Sequence, residues 1–313
     1  MPEHERAIDE FESIFERSHV PVPDITRVSL DRVLVALDFG KSTPGLTEIA
    51  KTLSERFSSR LLFVLPIDVP ESALDTAKER GEALLQEIRG RFPEAEAVLD
   101  VGPAAAALAA RIATHSPSMA LIPAPFRHFE GEDRGGGIGN VAETLLDQCD
   151  LPILIVREGS RAGADLFDRV LAVIPGPFDL VGEFDLAFTL CVRDGKLMLL
   201  HVIDEEVLAQ FADAFQLSAE VETGEGRDEL IAGLERKMQV VLKGAQKAGE
   251  DWPFAIIPAI EIGNPVAVCR RYIKQEGVSA IIVRTRTGEG RGQPEAQAFE
   301  LVRVIDEVPV IAL

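Results

Sequence analysis

Lysine, cysteine and the polar aromatics are scarce in this chain of 313 residues, which carries 3 cysteines, 1 tryptophan and 1 tyrosine. Cys149, Cys191 and Cys269 are scattered, form no CxxC pair and outline no disulfide framework. A reduced, cytoplasmic setting is the expectation that follows. No apolar run approaches the ~20 residues that cross a bilayer. The stretch from Met1 to Glu12 is charged and lacks the apolar core of a secretory signal. Lysine occurs only at positions 41, 51, 78, 196, 237, 243, 247 and 274, so arginine supplies most of the 32 basic residues. Against them stand 52 acids, giving a net charge of -20. That field opposes nonspecific binding to nucleic acid and to anionic membrane, and the shortage of aromatics leaves little for base stacking.

What is present is a repeat. Asp31-Arg32-Val33-Leu34 returns as Asp168-Arg169-Val170-Leu171. Arg60-Leu61-Leu62-Phe63-Val64-Leu65-Pro66-Ile67-Asp68 is echoed by Lys196-Leu197-Met198-Leu199-Leu200-His201-Val202-Ile203-Asp204. Val98-Leu99-Asp100-Val101-Gly102 matches Ala259-Ile260-Glu261-Ile262-Gly263, and Leu151-Pro152-Ile153-Leu154-Ile155 matches Val308-Pro309-Val310-Ile311-Ala312. The blocks keep their order with loop-sized changes in spacing, which identifies two copies of one unit.

Each block reads as a short apolar strand. In the first copy the strands are Arg32–Leu37, Arg60–Leu65, Ala95–Val101, Met119–Ile122 and Ile153–Val156, with helical patterns at Leu46–Phe57, Ala73–Phe92, Ala104–Thr114 and Val141–Asp147. Continuous apolar strands alternating with amphipathic helices imply a parallel sheet covered on both faces, and right-handed crossovers make it doubly wound. The fold class is therefore α/β, with two tandem doubly wound five-stranded parallel-sheet domains. Residues 1–28 form an N-terminal extension, 29–158 the first domain, 159–166 a small-residue linker and 167–313 the second domain. Two apolar final strands predict an internal pseudo-dimer in which these edges pair, since an exposed apolar edge invites aggregation.

In such sheets ligands bind beyond the carboxyl ends of the strands, at the switch in strand order. Asp38 follows the first strand there; its carboxylate suits a sugar hydroxyl or an exocyclic amine, and equally suits capping of the next helix. Gly135-Gly136-Gly137-Ile138-Gly139-Asn140 precedes a helix starting near Val141, an arrangement that offers N–H groups to phosphate or simply turns the chain. Glu130, Glu132 and Asp133 in the same loop oppose phosphate, and no Walker lysine is present. His201 falls inside a strand, His128 has no nucleophile nearby, and no residues show metal-ligand spacing or a nucleophile motif. No catalytic or metal site is expected.

Taken together, these strands and loops resemble the universal stress protein family, twice in tandem, with its adenine nucleotide α-hydrolase-like fold. The resemblance rests on Val33-Leu34-Val35-Ala36-Leu37-Asp38, on Leu199-Leu200-His201-Val202-Ile203-Asp204 and on the turns Gly102-Pro103-Ala104 and Gly263-Asn264-Pro265. It rests also on Gly139-Asn140-Val141-Ala142-Glu143 followed by Leu151-Pro152-Ile153-Leu154-Ile155-Val156-Arg157. Nucleotide-binding members of that family hold ATP with the acid after strand one, the end of strand two and a G-x2-G-x9-G-[S/T] loop. The resemblance implies that Asp38 meets the adenosine end, that backbone near Val64 and Leu65 lines the base, and that Gly139, Asn140 and Val141 offer N–H groups to phosphate. Ala124 and Arg127 replace the first two loop glycines and Asn140 the final Ser/Thr, so ATP binding in the first domain should be weak or absent. Pro175 replaces the acid in the second domain, Ala296-Gln297 the final pair, and only Gly288 remains, so no site is expected there.

The resemblance implies a non-catalytic stress-response or regulatory protein. An enzyme of the wider α-hydrolase type would need an SGGxDS loop or an HxGH pair, and neither string occurs. A partner-binding module for a transporter or kinase is the other alternative, with protein as its partner. One consequence needs only the composition. Self-repulsion at a charge of -20 destabilises the compact state, and salt screens it over about 10 Å at 0.1 M. The melting temperature should rise with NaCl in thermal denaturation; a flat trend would show the acids to be paired locally.

Overall fold

The computed structural model describes residues 25–129, 137–160, 163, 165–174, 183–204, 225–285 and 296–313. In the first half β1 (Arg32–Ala36), β2 (Arg60–Ile67), β3 (Glu96–Val101), β4 (Met119–Ala124) and β5 (Ile153–Arg157) alternate with α1 (Thr43–Phe57), α2 (Glu71–Arg91), α3 (Ala104–His115) and α4 (Gly139–Gln148). In the second half β6 (Arg169–Ile174), β7 (Lys196–Ile203), β8 (Ala255–Ile262), β9 (Ala280–Val283) and β10 (Val310–Ala312) alternate with α5 (Glu183–Leu190), α6 (Glu225–Ala248), α7 (Pro265–Glu276) and α8 (Ala296–Val304). Local chemistry sets several boundaries. Asn264 accepts the amide of Ala267 at 3.0 Å to start α7, and Gly277 ends it with a φ of 66°.

The strands form one sheet in the order β3-β2-β1-β4-β5-β10-β9-β6-β7-β8. Each half has the doubly wound order expected of it, and the whole is a palindrome about β5 and β10. Those two strands pair antiparallel, with Ile155 opposite Val310, Leu154 opposite Ile311 and Ile153 opposite Ala312; the other pairings are parallel. The apolar final strands thus do pair with each other.

Alternation along β1 divides the core. Val33, Val35 and Leu37 face α1 and α2 with Leu46, Ile49, Leu53 and Leu85, and the same layer continues over α5 and α6 through Phe184, Phe188, Met238 and Leu242. Leu34 and Ala36 face the opposite layer, built by α3, α4, α7 and α8 with Leu108, Val141, Leu145, Cys269 and Leu301. Both cores run unbroken across the seam, so the halves share their interior.

The outer edges use one device twice. Asp100 on β3 holds Arg111 on α3 through two hydrogen bonds of 2.7 and 2.8 Å, and Glu261 on β8 accepts Tyr272 Oη at 3.1 Å and pairs with Arg271 at 2.8 Å. Arg89 donates to the edge carbonyl of Ala97 at 3.0 Å, and Gln246 does the same to Ile256 at 3.1 Å. Charged partners and covered carbonyls blunt strands that would otherwise accept another chain.

Three features depart from the sequence expectation. β2 and β4 run past Leu65 and Ile122 to Ile67 and Ala124. Leu166, assigned to the linker, is fully buried. The described end of the N-terminal extension crosses to the second half, where the Thr26 amide and hydroxyl bond the Asp185 carboxylate at 2.9 and 3.1 Å and the Val28 amide donates to Thr189 Oγ1 at 2.9 Å. Arg27 lies 5.1 Å over the Trp252 ring. The rest of the extension, residues 1–24, lies outside the described residues. Since Ile311 is fully buried at the seam, Ile311→Ala should cost about 2–5 kcal/mol in urea denaturation; a negligible loss would show that the seam does not carry the packing.

Candidate functional site

The carboxyl ends of β1 and β4 flank the point where strand order reverses in the first half, the place where open α/β sheets accept ligands. Asp38 stands there and is only 1% exposed. Its Oδ1 accepts the Gly40 amide at 3.0 Å and the Thr43 hydroxyl at 3.4 Å, while Oδ2 accepts the Arg127 amide at 2.9 Å. The Phe39 amide in turn donates to the Arg127 carbonyl at 3.2 Å. Asp38 therefore ties the loop after β1 to the loop after β4. It does not cap α1 in the usual way, because the residue before that helix is Ser42, whose side chain makes no capping bond. Burial outweighs the hydrogen bonds and pushes the Asp38 carboxyl up from 3.8 to about 6.

Val64 and Leu65 lie inside β2, fully buried, and the Val64 carbonyl accepts the Leu37 amide at 2.8 Å. The end of the strand is instead occupied by Asp68, which sequence reasoning had not selected. Asp68 Oδ2 accepts the Ala104 amide at the start of α3 at 3.4 Å and stands 3.9 Å from His128 Nδ1. The clue to Asp68 was its place at the end of the repeated block that closes on Asp204.

Gly139 opens α4 with a φ of 77°. A Cβ there would lie 3.3 Å from Pro125 Cβ and 3.8 Å from the Phe126 nitrogen, so the close approach this glycine permits is to its own chain. Pro125 follows a cis peptide bond. Asn140 is exposed in the first turn of α4 and Val141 is buried behind it. Phe126 and His128 are 2% and 7% exposed, with ring centroids 5.5 Å apart. The 125–128 segment is thus the common neighbour of Asp38, Asp68 and Gly139. Ala124 is the last residue of β4, and Arg127 contributes both its backbone groups to the link with Asp38 and Phe39. Glu130, Glu132, Asp133, Gly135 and Gly136 lie outside the described residues.

In the second half His201 pairs with Ile174 in the sheet, and its Nδ1 lies 2.9 Å from the Ile174 carbonyl. A carbonyl only accepts, so Nδ1 carries the proton. Burial lowers the pKa of this imidazole, which is a satisfied strand residue as its position suggested. Thr285, after β9, donates both its amide and its hydroxyl to the Leu313 carbonyl at 2.8 and 3.0 Å. Pro175 and Gly288 lie outside the described residues, as do the side chains of Ala296 and Gln297. Among the described residues no cluster of three or more His, Cys, Asp or Glu could hold a metal ion, and no helix is long and apolar enough to cross a membrane.

Two doubly wound halves of one sheet, joined through their last strands and with an acid after the first strand at the switch point, make a tandem α/β protein with the adenine nucleotide α-hydrolase-like fold. The particular version is the universal stress protein fold. The chain is similar to a universal stress protein from Archaeoglobus fulgidus, with a TM-score of 0.58 and 15% identity over 93% of this chain and 97% of that one. It is similar also to a protein of unknown function from Pseudomonas aeruginosa, with a TM-score of 0.57 and 13% identity over 91% and 92%. At these identities the likeness is one of fold. No protein-family model matches the chain, and no curated protein does.

Asp38 gives a prediction with a definite sign. Its folded pKa of about 6 exceeds its ordinary value of 3.8, so the native state binds the extra proton between those values. Its contribution to stability is present below pH 4 and is lost as pH rises through 6, by up to about 3 kcal/mol. Asp38→Asn should remove that component from the pH dependence of urea unfolding. Identical slopes in the two proteins between pH 4 and 6 would refute it.

Proposed function

We propose that this is a non-catalytic regulatory or stress-response protein of the universal stress protein kind, acting in the cytoplasm through binding and conformation. The observation that carries this reading is the commitment of Asp38, whose two carboxylate oxygens accept hydrogen bonds from Gly40, Thr43 and Arg127 of its own chain. A carboxylate so employed is a poor receptor for ribose or adenine, because each of these internal bonds competes with the ligand for the same lone pairs.

ATP is the ligand class the fold suggests for the first half, held weakly if at all. Asn140 and Val141, in the first turn of α4, supply backbone N–H groups toward phosphate, while Asp38 and Asp68 set negative charge against it. The second half is assigned no nucleotide: Pro175 offers no carboxylate, and the His201 ring already spends its proton on Ile174. A protein partner, rather than turnover, is then the means by which the molecule acts.

Calorimetric titration of the full chain with ATP tests both parts. The expected result is a weak isotherm or none, with no release of inorganic phosphate above the buffer blank. Tight binding that survives Asp38→Ala and Asn140→Pro would move the site away from the first half. Sustained phosphate release that scales with protein concentration would make the protein an enzyme.

A further inference from the structure

The contacts around Asp38 do more than occupy a carboxylate. They join two loops that leave neighbouring strands at the switch point, and such loops diverge in order to pass over opposite faces of the sheet. Here the Arg127 amide donates to Asp38 and the Phe39 amide donates to the Arg127 carbonyl, so that the two loops are cross-linked beyond the ends of β1 and β4. The Arg127 side chain reinforces the link by lying on Gly40: a Cβ added to Gly40 would stand 2.8 Å from Arg127 Cγ and 2.8 Å from Asp38 Oδ2. Behind it Phe126 and His128 are packed inward, and Pro125 rests on Gly139.

We propose that Asp38, Gly40 and the 125–128 segment form a latch that keeps the switch-point crevice of the first half closed by the protein's own chain, so that any ligand of this crevice binds only after the latch opens. Gly40 is the seat of the latch, and its hydrogen side must stay empty for Arg127 to lie down. The arrangement is autoinhibitory: the apparent affinity of a ligand is reduced by the fraction of molecules in which the segment has lifted. The latch is defined by hydrogen bonds within the chain, and only its role as guard of a nucleotide crevice rests on the reading given above.

Amide hydrogen exchange in the full chain at neutral pH reads the latch without any ligand. In the wild type the amides of Phe39, Gly40 and Arg127 should be protected. Gly40→Ala drives a methyl group between Arg127 and Asp38 and should speed exchange at Phe39 and Arg127 by about tenfold or more, while Val35 inside β1 stays protected. Asp38→Ala removes the acceptors and should do the same at Gly40 and Arg127, which keeps the test alive should one variant fold poorly. Trypsin cleavage after Arg127 should follow the same order. Unprotected amides in the wild type, unchanged protection in both variants, or equal loss of protection at Val35 would overturn the latch. A fluorescent ATP analogue completes the test. Tighter binding by Gly40→Ala, which leaves the Asp38 carboxylate in place, supports the latch as guard of the nucleotide crevice. Faster exchange with no gain in binding leaves the latch standing and overturns the nucleotide reading instead.

Discussion

The antiparallel pairing of β5 with β10 is the interaction on which the other features depend. Each half alone would present its last strand as an open edge of apolar side chains, Ile153 to Val156 on one side and Val310 to Ala312 on the other. Burying one such Ile, Leu or Val side chain contributes about 1.5–3 kcal/mol, and the seam buries several at once. The pairing also satisfies the backbone groups of both edges and lets the two core layers pass uninterrupted between halves. Arg157, at the end of β5, adds polar closure by donating to the Val302 and Arg303 carbonyls at the end of α8, at 3.0 and 2.5 Å. A cation at a helix C-terminus complements the partial negative charge of that end.

With the inner edges consumed, β3 and β8 are the edges among the described residues, and the molecule treats them alike with different residues. Asp100 with Arg111 and Glu261 with Tyr272 and Arg271 hold equivalent strands to equivalent helices. Arg89 and Gln246 each cover an edge carbonyl. The architecture therefore keeps a symmetric solution at its rims while its two switch points diverge. The first is built around the Asp38 carboxylate, which receives three donors; in the second half His201 stands on β7 beside the end of β6 and donates Nδ1–H to the Ile174 carbonyl.

How much of this was legible in the sequence follows from the range of each contact. The apolar blocks were readable because burial on both faces demands continuous Val, Leu and Ile, and their repetition fixed the strand order and the seam. The end of β2 was harder to see because Pro66 looks like a terminator. Its missing N–H falls on the side where β1 has already turned away, so the strand continues against β3 to Ile67. Asp38 was legible from its place after the first strand, but its partner was not. Arg127 stands where the resemblance implies a glycine, whereas its part in the link rests on its amide, its carbonyl and the methylenes lying on Gly40. Backbone groups leave no trace in residue identity. Asp68 and His128 approach through side-chain atoms, 3.9 Å apart, but only the fold brings the ends of β2 and β4 together, and the edge pairs escaped the repeat because Arg and Tyr share no letter.

The clasp of Thr26 and Val28 onto α5 has a consequence in time. These residues are among the first of the described chain to leave a ribosome, yet Asp185 and Thr189 follow only after the entire first half has been made. The strand that covers β5 comes later still. During synthesis the first half must therefore wait with an uncovered apolar edge and an untied leading segment, and a nascent chain in that state is open to pairing with a neighbour on the same messenger. The order of translation thus leaves both fastenings of this molecule to the end.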